Sequence, residues 1–212
     1  MASLAELSGA QLAEQLRNPN GATGVAVAEA LGTINAGAIA AISDRLDLKP
    51  SMAVLELGCG LGNFASILAA SMLGVTYTGV DRSPTMVEAA SVRHSAHVAS
   101  GCAKFVCASS EQTGLNDSSF DRLFSIGLIH FWNEPLQSLK ECRRILRTGG
   151  MMLMACLGPD RAPPFALAEY GFHLRSAAEW RRLAREAGFD ETTVEVDETA
   201  GRPQGLLMIS KG

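Results

Sequence analysis

The sequence lacks the marks of several large protein classes. No stretch approaches the roughly 20 consecutive apolar residues of a transmembrane helix, and no basic region followed by an apolar core opens the chain. The net charge of −4 provides no basic field for nucleic acid. The five cysteines form no Cys-x-x-Cys pair, and no His, Cys, Asp and Glu group has metal-ligand spacing. We therefore expect a cytoplasmic protein without a disulfide framework, metal, membrane span or nucleic-acid partner.

The sequence does contain a regular alternation of strand-like and helical patterns. Strand patterns occupy residues 52–57, 75–80, 104–107, 122–126 and 151–156, and helical patterns occupy 63–73, 83–94 and 134–146. A capping box begins a last helix over 176–187, and 194–196 and 206–210 are closing strands. This alternation predicts an α/β, doubly wound fold with a parallel sheet and helices on both faces.

The chain is long enough for one domain with an appended element. Helical patterns near residues 4–16 and 34–46 lie on either side of a turn at 18–21. We expect residues 1–50 to form an N-terminal helical cap on a catalytic domain of residues 51–212. Residues 157–175, which contain three prolines, are a candidate lid.

A glycine-rich turn follows the first predicted strand and is the clearest indication of a ligand site. Glycines let the backbone bend and approach a ligand closely, and Glu56 lies in the buried run, where a carboxylate needs a hydrogen-bond partner. A dinucleotide fingerprint requires glycine at the position of Asn63, and no Walker lysine follows. Asp81, at the tip of the next strand, is placed to accept ribose hydroxyls, unless it is an ordinary acid preceding a helix.

Five segments together resemble the class I S-adenosylmethionine-dependent methyltransferases, in particular the small-molecule branch of the ubiquinone/menaquinone-biosynthesis type. They are VLELGCGLG (54–62), YTGVDRSPTMVEAA (77–90), SSEQTGLNDSSFDRLFSIGLIHF (109–131), LKECRRILRTGGMMLM (139–154) and EWRRLAREAGF (179–189). The resemblance extends over roughly residues 30–212. It implies a Rossmann-like, seven-stranded sheet that is mostly parallel with an antiparallel last strand.

The resemblance also implies a bound S-adenosyl-L-methionine, with S-adenosyl-L-homocysteine as product. Glu56, Gly58, Cys59 and Gly60 would flank its methionine part, Asp81 its ribose, Arg82 and Met86 its adenine, and the Ile126 backbone its amino group. Ser109 and Ser110 replace the acid and small residue that family members use near the adenine amine. A hydroxyl makes a weaker hydrogen bond than a carboxylate, so we expect adenine recognition to persist at lower affinity.

Acceptor-side candidates follow the fourth predicted strand. His130 is a candidate base or orienting group for an acceptor oxygen, and a structural role is equally compatible with the sequence. Phe131 and Trp132 are candidates for the substrate pocket or for contact with the sulfonium, with core packing as the alternative. Tyr170 and His173 belong to the candidate lid. His94 and His97 are expected to face solvent.

The sequence thus favours a methyltransferase that acts on a small-molecule acceptor by in-line displacement, as a monomer or homodimer. A non-catalytic adenosylmethionine- or adenosylhomocysteine-binding protein is the alternative, because its cofactor half would look the same. An NAD(P)-dependent oxidoreductase is less favoured, since Asn63 replaces the third glycine and no Tyr-x-x-x-Lys pair is present.

Overall fold

The structure is a computed structural model that describes residues 7–70, 73–156, 170–197 and 204–210. Three helices precede the first strand, namely α1 (Gly9–Arg17), α2 (Gly21–Ile34) and α3 (Ala36–Arg45). Ser8 caps α1 in a capping box with Gln11. Most of the candidate lid, residues 157–169, lies outside the described residues.

The remaining elements alternate between strand and helix. They are β1 (Ala53–Leu57), α4 (Asn63–Ala70), β2 (Thr76–Asp81), α5 (Pro84–Arg93), α6 (Ser95–Ala99), β3 (Ala103–Cys107), β4 (Phe120–Ile126), a 3₁₀ turn (Ile129–Phe131), α7 (Pro135–Ile145), β5 (Leu146–Cys156), α8 (Ala177–Glu186), β6 (Glu191–Asp197) and β7 (Gln204–Ser210). Proline at the first helical turn and a Ser83 cap begin α5, as the sequence predicts.

The strands form one sheet in the order β3-β2-β1-β4-β5-β7-β6. Strands β1 to β5 run parallel to one another, while β7 runs antiparallel to both β5 and β6. The predicted α/β Rossmann-like class with a parallel core is confirmed. Because β1 and β4 are adjacent at the centre, the loops after β1, β2 and β4 meet at one edge of the sheet.

Two apolar clusters cover the two faces of the sheet. Along β4 and β5 successive residues alternate between the clusters, as Leu123 and Phe124 do. Helices α7 and α8 contribute Leu139 and Trp180 to one cluster, and α3 and α4 contribute Ile42 and Phe64 to the other. Helices therefore lie on both faces. Helix α3 packs into this core, although the sequence assigns it to the cap.

Helix α2 is an element that the sequence analysis did not predict. It contains Gly24 and Gly32, which lower helix propensity. In the structure both allow close packing, since an added Cβ at Gly24 would lie 2.7 Å from the Pro19 backbone and one at Gly32 would lie 2.6 Å from the Asn63 amide. Tertiary contacts therefore stabilise a helix that local propensity does not indicate.

The described residues contain no single helix with the length and apolar character to cross a membrane. Helices α2 and α3, which are bent by 61° relative to each other, have sufficient length and apolar character only when they are taken together. That match rests on length and composition alone.

Candidate functional site

The glycine turn after β1 has one open side and one packed side. Gly58 donates its backbone N–H to the Val80 carbonyl at 2.8 Å, which joins the ends of β1 and β2. Gly60 and Gly62 have φ of +52° and +69°, a conformation that favours glycine. A Cβ at Gly60 would meet no atom within 4 Å, whereas one at Gly62 would lie 2.5 Å from the Phe105 ring. The backbone at Gly60 is therefore exposed to a ligand.

Asp81 holds this turn against the start of α5. Its carboxylate accepts hydrogen bonds from the backbone N–H groups of Gly60 and Ser83, each at 2.9 Å. Burial raises the pKa of Asp81, while these two N–H groups oppose the shift. Only 7% of the residue is exposed, so its carboxylate is fixed at the tip of β2.

Glu56 is buried on β1, and its hydrogen-bond partner is the hydroxyl of Tyr77 on β2. Desolvation raises the pKa of Glu56 to about 8, with the Tyr77 bond opposing the shift. The carboxyl group is thus mostly protonated at neutral pH. The sequence indicates that Glu56 needs a partner but does not identify Tyr77. The alternation of side chains along the strands explains why Tyr77 reaches Glu56. Tyr77 pairs with Val54, and Val54 lies on the same face of the sheet as Glu56.

Ser109 and Ser110 lie just beyond β3, whose last residue Cys107 pairs with Asp81. Ser109 forms an isolated bridge with Gln112, and the Ser110 hydroxyl lies 3.2 Å from the Ser138 hydroxyl on α7. Both serines face the same cavity as Asp81. The two serines therefore line the cavity from the end of β3.

Three predicted acceptor-side residues follow β4. His130 is buried, and burial lowers its imidazole pKa to about 4. Phe131 is half-buried, and its ring centroid lies 4.7 Å from that of Phe172. Trp132 is buried edge-on against Trp180. The His130 imidazole is consequently neutral at physiological pH.

A single cavity of about 920 Å³ joins these loops. The predicted site residues that line it are Glu56, Gly58, Cys59, Gly60, Asp81, Arg82, Ser109, Ser110, Ile126, His130, Phe131 and Trp132. Its wall also includes residues that the sequence analysis missed, among them Leu12, Leu16, Leu31, Ile34 and Phe172. Leu12 and Leu16 had a signal in the apolar spacing of the first helical pattern, which predicted a helix but not what it covers. Leu31 lies on α2, which the sequence did not predict.

Three predicted site residues are not part of the cavity wall. Met86 is fully buried against Leu61. The Tyr170 ring lies beside Gly9, where an added Cβ would approach its hydroxyl to 2.6 Å. His173 donates its backbone N–H to the His130 carbonyl at 2.7 Å, and its Nε2 lies 2.7 Å from Asn133 Oδ1. In the described part of the chain, no three His, Cys, Asp or Glu side chains are grouped to hold a metal ion.

The prediction that His94 faces solvent is wrong. Only 7% of His94 is exposed, and its ring stacks on Phe105 with centroids 5.8 Å apart. The sequence pattern placed His94 after a helix, where exposed residues are common, and it contained no sign of the pocket that β3 and the glycine turn form around the ring.

The comparison with known families agrees with this geometry. Residues 55–154, which run from β1 through β5 and include the turn, Asp81 and His130, match a methyltransferase domain model. This match and the curated relatives support a class I S-adenosylmethionine-dependent methyltransferase.

Curated relatives match much of the chain. A malonyl-[acyl-carrier protein] O-methyltransferase of Paenibacillus sp. is 27% identical over 172 residues, which are 73% of this chain and 62% of the relative. A ubiquinone biosynthesis O-methyltransferase of Parvibaculum lavamentivorans is 29% identical over 156 residues, 69% of this chain and 60% of the relative. The chain thus spans about three fifths of the length of these relatives.

The fold is shared with solved methyltransferases. The structure of Haemonchus contortus phosphoethanolamine N-methyltransferase 2 in complex with S-adenosyl-L-methionine superposes with a TM-score of 0.71 at 18% identity, covering 88% of this chain and 57% of that one.

Proposed function

We propose that the chain transfers a methyl group from S-adenosyl-L-methionine to a small-molecule acceptor by in-line displacement. The observation that carries this proposal is the single cavity, which joins the exposed glycine turn and Asp81 to His130 and an apolar wall. The platform for the reaction is the seven-stranded sheet with its antiparallel last strand.

The residues at the strand ends fit the proposed cofactor. The open backbone at Gly60 leaves room for the methionine part, and the Asp81 carboxylate can accept hydrogen bonds from two ribose hydroxyls. Ser109 and Ser110 offer hydroxyls to the adenine edge. Glu56 lies deeper and, when ionised, would attract the cofactor's positive charges. When bound, the cofactor supplies a methyl group already activated by its sulfonium.

His130 is suited to orient the acceptor rather than to store its proton. With a pKa of about 4, the imidazole is a weak base but remains a neutral hydrogen-bond acceptor at pH 7. An acceptor hydroxyl that donates to it would present its oxygen toward the methyl group at about 3 Å, the separation that in-line attack requires. The proton that the hydroxyl loses on methylation would pass through the imidazole to solvent. Phe131, Trp132 and Phe172 exclude water from that space.

The proposal is tested by titrating the protein with adenosylmethionine, adenosylhomocysteine and NAD(P)H in a calorimeter. We expect the first two to bind and NAD(P)H not to bind. An assay of labelled methyl transfer to a panel of phenols, carboxylates and amines then follows. Stabilisation by NAD(P)H alone would overturn the proposal, and cofactor binding without transfer to any acceptor would support the non-catalytic alternative.

A further inference from the structure

The cavity has an apolar side that the proposed cofactor contacts do not use. Helices α1, α2 and α3 contribute aliphatic side chains to it, which are Leu12, Leu16, Val27, Leu31, Ile34 and Ile39. Ile34 is 46% exposed although it lines a cavity. Apolar surface of this kind, next to a polar ligand site, is typical of a surface that a ligand covers.

The aromatic pair of Phe131 and Phe172 extends this apolar surface toward His130. The two rings are tilted by 54° and both line the cavity. The pair therefore connects the aliphatic wall of α1 to α3 with the imidazole that would orient the acceptor. A ligand that fills this space contacts hydrocarbon for most of its length.

Charge is distributed unequally around the cavity. Its described acidic residues, Glu56, Asp81 and Glu111, follow or belong to the sheet strands, as does Arg82. On the described parts of α1 to α3, the lining includes one charged residue, Arg17, at the end of α1. Its guanidinium donates to the Tyr170 carbonyl at 2.5 Å, which uses one of about five donors.

We propose that the methyl acceptor has a bulky apolar body and a neutral or anionic polar end. The body lies between the aliphatic wall and the Phe131–Phe172 pair, and an anionic end is held by Arg17. This inference rests on the proposed function, because it assigns the other half of the cavity to the cofactor. A cationic end is disfavoured, since it would lie beside the Arg17 guanidinium.

The experiment measures binding of straight-chain probes to the protein saturated with adenosylhomocysteine, below the concentrations at which the probes form micelles. Hexanoate, octanoate and decanoate test the apolar body, and 1-decanol and decylammonium test the polar end. We expect affinity to rise with chain length, by up to roughly fourfold for each buried methylene group. Decylammonium should bind most weakly of the three ten-carbon probes.

Two variants locate the probes. Arg17→Gln should weaken decanoate severalfold and leave 1-decanol unchanged, because only decanoate carries a charge. Ile34→Asn should weaken both. The matched control is Val92→Asn, since Val92 is 71% exposed on α5 and does not line the cavity. Circular dichroism checks that each variant is folded. If Ile34→Asn does not fold, Arg17→Gln and the chain-length series still test the inference.

The outcomes separate the two proposals. Absence of adenosylhomocysteine binding would overturn the proposed function. In that case the chain-length series is repeated without adenosylhomocysteine, so that probe binding to the apolar wall is still measured. Affinity that does not change with chain length, or tightest binding of decylammonium, would overturn the inference alone. Equal effects of Arg17→Gln on decanoate and 1-decanol would remove Arg17 from the acceptor site.

Discussion

The imidazole Nε2 of His94 lies 3.0 Å from the carbonyl oxygen of Leu61, inside the glycine turn. Its other nitrogen lies 3.4 Å from the Ser66 hydroxyl in the first turns of α4. Desolvation lowers the pKa of His94, so the neutral ring can donate to Leu61 and accept from Ser66. His94 thus fixes the turn from its packed side and leaves the Gly60 side open.

We predict that His94→Phe weakens adenosylhomocysteine binding about fivefold, because the ring keeps its contact with Phe105 but the turn loses a hydrogen bond of about 1 kcal/mol. His94→Gln retains a donor and should bind more tightly than His94→Phe. Calorimetry measures both, and Val92→Ala is the control, since Val92 is exposed and does not line the cavity. An affinity of His94→Phe equal to that of the wild type would show that the turn needs no such support.

Two glycines of the turn should respond differently to alanine. Gly62→Ala should lower the free energy of unfolding by about 3 kcal/mol, because a left-handed residue is strained and its Cβ would clash with Phe105. Gly60→Ala should cost only about 1 kcal/mol of that free energy, since its Cβ meets no protein atom. Its methyl group should instead reduce cofactor affinity. Urea denaturation and calorimetry compare the two, and a reversed order would contradict the orientation of the turn.

Asp81→Asn should weaken adenosylhomocysteine binding on the order of 100-fold, because two hydrogen bonds from ribose hydroxyls would lose their charged acceptor. Asparagine can still accept one of the two backbone N–H groups that Asp81 binds, so the fold should persist. Asp117→Asn is the control, since Asp117 is exposed, pairs with Arg144 and does not line the cavity. Similar affinities for the two variants would remove Asp81 from the cofactor site.

Glu56 should make stability depend on pH. Its pKa is about 8 when folded and near 4.5 when unfolded, so between these values the folded state binds a proton that the unfolded state has released. The stabilisation is fully present below about pH 4.5 and is lost as pH rises toward 8. Glu56→Gln should remove this component. Urea denaturation of the wild type and of Glu56→Gln from pH 5 to pH 9, at about one measurement per pH unit, gives the slope of the free energy of unfolding against pH for each protein. Identical slopes would show that Glu56 is ionised in the folded state.

The central sheet could be predicted from sequence because its signals are local. The strand runs, the Ser83 cap and the positions of Glu56 and Asp81 depend on residues near one another in the chain, and the structure places Glu56 and Asp81 at one cavity. The hydrogen-bond partners of these residues could not be predicted without the sheet register, which brings Tyr77 within reach of Glu56.

The acceptor half was harder to predict because its contacts are distant in sequence. Helix α2 forms around glycines that have poor helix propensity, and Phe172 reaches Phe131 across about forty residues of chain. The same difficulty applies behind the glycine turn, where His94 is buried by Phe105 and Leu61, which belong to two other elements. No periodicity within a single segment contains such information.

The wall of the cavity on α1 to α3 and the strand-end loops are separate stretches of the chain. Residues 12–39 supply the aliphatic wall, whereas residues 56–111 supply the proposed donor site. Helix α2 packs on the glycine turn, since Ala28 and Leu61 share an apolar cluster. Helix α1 supplies Leu12 and Leu16 to the wall, and substitutions there can alter acceptor preference while methyl-donor affinity is retained. This separation makes the chain evolvable, since a duplicated copy can acquire a new acceptor by changing the wall residues of α1.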